Sequence, residues 1–225
     1  MKKILPLKKH SVMADNYLEK KFEELQARKG GTKHKVAASN PSLDSLLLRN
    51  RSYRGFDNSY KVSREELLEI VEVCTKIPCA KNQQALRFKL VYGEDAPRMQ
   101  QYIKWGGALP ELNLPFKGTE PTAFIIICST VAENKWVDID LGIAAQSMLL
   151  KAVELGLNGI CIGAFNKVET VNEFALEHEP LLVLAIGKGD ENIQLTRIKP
   201  GEQQAYYRKD GVHFVPKLGV DDILL

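Results

Sequence analysis

The sequence predicts an α+β fold built on a sheet of four or more strands, with an arm at each end. Three observations carry this. A fully apolar, β-branched run, "TAFIIICST" (122–130), suits the middle of a sheet. Two further runs, "LRFKLVYG" (86–93) and "LLVLAIGKG" (181–189), have strand composition and end in glycine. Between them lie helical patterns with their own start and stop signals, among them a long small-residue helix.

In chain order, residues 1–45 form a first region. Leu18, Phe22 and Leu25 make a narrow apolar stripe that stops at Gly30-Gly31, and "GGTKHKVAASNPS" then reads as linker. So thin a stripe suits docking on another surface. Ser63 and Glu66 form a capping box for a helix with Leu67, Val71 and Cys74 on one face, ending by Pro78. After the strand at 86–93 comes a helix near 95–105, then a Gly/Pro-rich loop, "GGALPELNLPFKGTEP" (106–121). Asp138 or Asp140 is expected to cap "DLGIAAQSMLLKAVELG", whose face Leu141, Ala145, Met148, Ala152, Leu155 runs to a stop at Gly156. "NGICIGAF" (158–165) reads as a short strand and turn, and 168–177 as a short helix. The tail from Tyr206 has strand character but no evident place in the main domain.

The bulk numbers exclude several classes. A chain of 225 residues with 44% hydrophobic and 26% charged residues buries enough core to fold without staples. Its net charge of +3 comes from interspersed acids and bases, which argues against a nucleic-acid or membrane-surface protein. Cys74, Cys79, Cys128 and Cys161 form no CxxC pair and read as free thiols in a reducing compartment, so the cytoplasm is expected. The start "MKKILPLKKHSV" is too soon interrupted by charge for a signal peptide, and no run reaches the length of a membrane span. Dinucleotide GxGxxG, Walker, HExxH and GxSxG motifs are missing, and the four histidines suggest neither metal cluster nor triad.

Three stretches hold candidate chemistry. Arg49, Arg51 and Arg54 surround Ser52; such fixed positive charge suits a phosphate, held by guanidinium forks and a hydroxyl, though a solvated turn paired with Glu65 or Glu66 fits as well. "KIPCAKNQQALRF" (76–88) places the amides of Asn82, Gln83 and Gln84 between a helix and a strand, where they either read a heterocycle's edge or simply fill a connection. In "GICIGAF", Gly159 and Gly163 allow a flat ligand close to the backbone, or only a tight turn.

Together, in this order and spacing, the stretches resemble the nitroreductase family. Arg51-Ser52-Tyr53-Arg54-Gly55-Phe56 resembles its RRSxRxF opening, and Pro78 to Gln84 its PSxxNxQ loop. Residues 136–165 are similar to its long central helix and following turn, "LLVLAIGKGDE" to its last core strand, and "YYRKDGVHFVPK" to the tail of one branch. Asn50 stands where the family has the first arginine, Cys79 where it has serine, and Ala85-Leu86 where it has Pro-Trp. The resemblance implies a central mixed or antiparallel sheet flanked by helices, with N- and C-terminal arms (1–45 and 191–225) exchanged around a 46–190 core in a homodimer. It further implies FMN at the subunit interface. Asn50, Arg51, Ser52 and Arg54 would take the phosphate and near ring edge, Ala80, Asn82 and Gln84 would frame the pocket, and Cys161, Ile162, Gly163 and Ala164 would lie against the ring. Arg208 would add a phosphate contact. NADH or NADPH would supply electrons for nitroaromatic, quinone or other flat acceptors in a ping-pong scheme that needs no catalytic side chain, with Arg54 tuning the reduced flavin. Relatives that dehalogenate substrates or cleave flavin, and a non-catalytic flavin-binding protein, share the same fold expectation.

Overall fold

The computed structural model describes residues 41–107 and 112–225. The expected helix around Leu18–Leu25, its glycine stop and its linker lie outside the described residues, as does part of the 106–121 loop.

Four strands make the main sheet: β1 (Leu86–Tyr92), β2 (Ala123–Ser129), β3 (Asn158–Ile162) and β4 (Glu179–Gly187), in the order β1-β2-β4-β3, every neighbouring pair antiparallel. The strand composition that predicted a central place for 122–130 is correct: all of β2 is buried. Because strand side chains alternate, its two faces feed two cores. Ala123, Ile125 and Ile127 pack with Leu67, Ile70, Met148 and Ala152 on one side; Phe124, Ile126 and Cys128 pack with Met99, Ile160 and Phe174 on the other.

Helix α1 (Leu43–Arg49) is capped by Ser42, and α2 (Arg64–Glu72) starts with the predicted Ser63–Glu66 capping box, both of its hydrogen bonds formed. Helix α3 is short (Ala96–Gln100) where sequence suggested 95–105. Residues past it abandon the helix because their backbone pairs elsewhere: Ile103 bridges Phe165, and the Lys104 N–H donates to Ala164 O at 2.8 Å.

The long helix α4 (Lys135–Glu154) begins earlier than expected. Asn134, not Asp138 or Asp140, is its N-cap, accepting from the Trp136 and Val137 N–H groups, and Asp140 lies inside the helix, buried. Its end is as predicted. Gly156 adopts φ +81°, and the N–H groups of Gly156 and Leu157 return to Val153 O and Ala152 O, a Schellman closure. Helix α5 (Lys167–Phe174) follows, capped by Asn166.

The homeless tail acquires a place. Strands β5 (Asn192–Arg197), β6 (Tyr207–Lys209) and β7 (Val212–Lys217) form a second sheet, β5 parallel to β7 and β6 antiparallel to it. Its core-facing residues lie over the 50–54 segment. A last turn of helix, α6 (Val220–Ile223), closes the chain.

Candidate functional site

The arginine-rich stretch forms an extended segment strung along the edge of the main sheet. Helix α1 stops at Asn50, whose N–H still reaches Leu46 O at 2.8 Å. Ser52 then pairs with Gly159 of β3, and the Tyr53 N–H donates to Gly159 O at 3.2 Å. Phe56 bridges Gly189 and is fully buried. This approach requires glycine at 189, where a Cβ would stand 2.4 Å from the Tyr53 ring.

The three arginines part company. Arg49 is exposed. Arg51 is half-buried; its Nη2 donates to Leu47 O at 2.6 Å, its Nε is buried without a partner among the described residues, and burial lowers its pKa. Arg54 is buried at 9% exposure, with its Nη1 donating to Ser52 O at 2.9 Å and its guanidinium 4.6 Å above the Tyr206 ring. Its own N–H is taken by the Glu191 carboxylate.

Around Arg54 the two sheets enclose a cavity of about 260 Å³. The 50–54 segment supplies Asn50, Arg51, Ser52 and Arg54; the tail sheet roofs it with Ile193, Tyr206, His213, Val215 and Lys217. Among the described residues no carboxylate lines it, so the side chains of Arg51, Arg54 and Lys217 face one space without a counter-charge from those residues. A second cavity of about 160 Å³ shares Arg54 and Tyr206 and is walled by Ile160–Ala164 and Lys104–Gly107. At Gly163 a Cβ would meet nothing within 4 Å, so the backbone there faces open space. The structure thus brings Asn50, Arg51, Ser52 and Arg54 together with Cys161, Ile162, Gly163 and Ala164.

Within one chain it does not bring the 76–88 stretch to them. Asn82 and Gln84 line a separate cavity of about 260 Å³ with Cys79, Ala85, Asp140 and Ala144, sharing no residue with the other two; Ala80 is held by Asp140. Arg208 is ion-paired with Glu191, and the two line a further cavity of about 270 Å³ with Phe116 and Asp190. Sequence reading missed Tyr206, His213, Lys217 and Glu191. All four reach the site through the pairing of β7 with β5 and β6, which no local pattern announces. Cys74 and Cys128 are pushed up to about 11 by burial, which leaves their thiols protonated.

His213 is 3% exposed, leans on the Tyr206 ring, and has Nδ1 buried without a partner among the described residues. Burial first, then the charges of Arg54 and Arg208, lower its pKa from 6.5 to about 4. Between those values the unfolded chain binds a proton that the folded chain refuses. Stability from this group is therefore complete above about 6.5 and is lost as pH falls toward about 4. Urea midpoints at about pH 7.5 and about pH 4.5 are expected to differ more for the wild type than for His213→Gln, which cannot titrate.

A family model described as the nitroreductase family matches residues 47–188. The chain belongs to the nitroreductase family. The matched span encloses the arginine segment, all three motifs and the main sheet, and leaves the tail sheet outside it. Solved nitroreductase-fold structures agree with the architecture. A protein from Staphylococcus epidermidis described as an NAD(P)H:FMN oxidoreductase is 20% identical, with 87% of this chain and 99% of that one covered and a TM-score of 0.59. A mutant of an FMN- and NADPH-dependent nitroreductase from Sphigopyxis sp. strain HMH is 20% identical over 67% and 89% (TM-score 0.57). An Exiguobacterium sibiricum protein described as a nitroreductase, in complex with FMN, is 20% identical over 70% and 91% (TM-score 0.55). No curated protein sequence matches the chain. Among the described residues, no helix is long and apolar enough to cross a membrane.

Proposed function

We propose that the protein is an FMN-dependent oxidoreductase that takes reducing equivalents from NADH or NADPH and delivers them, in a ping-pong cycle, to flat acceptors such as nitroaromatics and quinones. The observation that carries this reading is the acid-free cavity of Arg51, Arg54 and Lys217 beside the open backbone at Gly163. An anionic tail fits the first space and a flat ring the second. The buried Nε of Arg51, without a partner among the described residues, adds donor capacity at that wall. The related proteins whose descriptions name FMN and NAD(P)H support the same choice.

In this reading Arg51, Ser52 and Lys217 hold the phosphate, with Asn50 at the cavity's edge. Arg54 supplies fixed positive charge between tail and ring, held in place by Ser52 O and Tyr206. The backbone of Cys161–Ala164 lies against the ring, free of side chains at Gly163. FMN, once bound, supplies the two-electron chemistry itself. The chain's part is to bind it, orient it, and set positive charge near its electron-rich edge.

We further infer a homodimer. Asn82 and Gln84 face a cavity remote from Arg54 within one chain, and a second copy would bring them to the other chain's cleft. Exposed Trp136 and Ile139 on α4, with Leu43 and Leu48 on α1, offer apolar surface for that contact. Residues 191–225 form the C-terminal extension and 46–190 the core in this scheme, and the four free thiols fit the cytoplasm.

The test is direct. Purified protein is expected to be yellow, or to become so with added FMN, and its visible band to bleach anaerobically with NADH or NADPH. A chain that takes up no FMN overturns the proposal; a yellow protein that neither donor bleaches overturns its donor half.

A further inference from the structure

The loop that leads into β1 has an unusual backbone. Lys81, Asn82 and Gln84 all lie in the left-handed region, with φ of 51°, 52° and 50°. Asparagine tolerates that region; lysine and glutamine seldom enter it. Such conformations persist only where the surroundings dictate them. Here the downstream end is tied by Thr130, whose N–H and Oγ1 both donate to Ala85 O at 2.9 and 3.1 Å. The upstream end is tied by Asp140, whose Oδ1 accepts the Ala80 N–H at 2.8 Å. Between these anchors the side chains of residues 81–84 are all exposed.

Asp140 itself needs explaining. It is 6% exposed within α4, and burying a carboxylate is costly unless it is well paired. It does not cap its own helix, since Asn134 does that. The bond from Ala80 is its one side-chain hydrogen bond among the described residues. A buried acid whose single partner is the first amide of a strained loop makes sense if the loop's shape matters.

We propose that Asp140 is a positioning residue that holds the Ala80–Gln84 loop in the conformation that puts Lys81, Asn82 and Gln84 in the left-handed region, and so fixes the direction in which Asn82 and Gln84 present their amides to the bound cofactor. This rests on the FMN and homodimer readings above. What the loop requires is an acceptor at Oδ1, not the charge, so Asp140→Asn keeps the role and Asp140→Ala removes it. Lys81→Gly, which tolerates positive φ freely, restores part of what Asp140→Ala loses.

Two measurements on the full chain test this. In cofactor-free protein, amide exchange at Ala80 is expected to quicken about tenfold or more in Asp140→Ala and to stay near the wild-type rate in Asp140→Asn. FMN titration is expected to give a Kd about tenfold weaker for Asp140→Ala, near wild type for Asp140→Asn, and partly recovered in Asp140→Ala with Lys81→Gly. Circular dichroism and melting curves identify the variants that remain folded. Equal FMN affinity in folded Asp140→Ala, or an Asp140→Asn loss as large as that of alanine, overturns the positioning role. A wild-type chain that binds no FMN overturns the cofactor reading, and unchanged Ala80 exchange in Asp140→Ala then removes the positioning role independently.

Discussion

Arg54→Ala is expected to weaken FMN binding by roughly 10- to 150-fold, the value of a charged hydrogen bond of about 1.5–3 kcal/mol. Arg54 borders three of the cavities around the site, and with Tyr206 it forms the wall shared by the anion-suited space and the open space at Gly163. Removing it takes fixed charge from both and frees Tyr206 from its stacking partner. Arg54→Lys should fall between, because the ammonium keeps the charge but cannot reproduce the planar fork over the ring while reaching Ser52 O. Fluorescence titration with FMN reads the effect, and melting curves separate it from loss of fold. Reduction of the bound flavin by NAD(P)H should also slow. Unchanged affinity and rate in Arg54→Ala would remove it from the site.

Gly159→Ala is expected to destabilise the protein by about 2 kcal/mol, lowering Tm by roughly 4–8 °C for a chain of this size. The added Cβ would stand 2.6 Å from Ala185 O, 2.7 Å from Leu149 Cδ2 and 3.0 Å from Ile186 Cδ1. The carbonyl belongs to the neighbouring strand β4 and cannot retreat without breaking the β3–β4 pairing. Gly159 also holds the arginine segment through Ser52 and Tyr53, so FMN affinity should fall with stability. Gly163→Ala is the contrast. Nothing lies within 4 Å of its Cβ position, so Tm should scarcely move. A thermal scan of both variants decides the point; equal melting of Gly159→Ala and wild type would mean that β3 has room to shift.

Much of this architecture is legible in the chain itself, because short-range physics writes it. The Ser63–Glu66 box, the Gly156 stop and the unbroken apolar run of β2 each act within a few residues, and the folded chain forms each of them. Where the reading fails, the deciding partner is distant. Asp140 resembles a helix cap until Ala80, sixty residues away, claims it. Helix α3 ends early because residues 103–104 pair with residues 164–165. Arg208, expected to add a phosphate contact, is ion-paired with Glu191. Tyr206, His213 and Lys217 reach the cavity through the pairing of β7 with β6 and β5.

That last arrangement bears on biosynthesis. The floor of the anion-suited cavity comes from residues 50–54 and its roof from residues 193–217, while the main sheet between them is complete by residue 187. During translation the core can therefore condense while this cleft still stands open on one side. The chamber closes only when β7 docks, so a ribosome stalled shortly before Lys217 would release a well-packed protein unable to keep a bound anion.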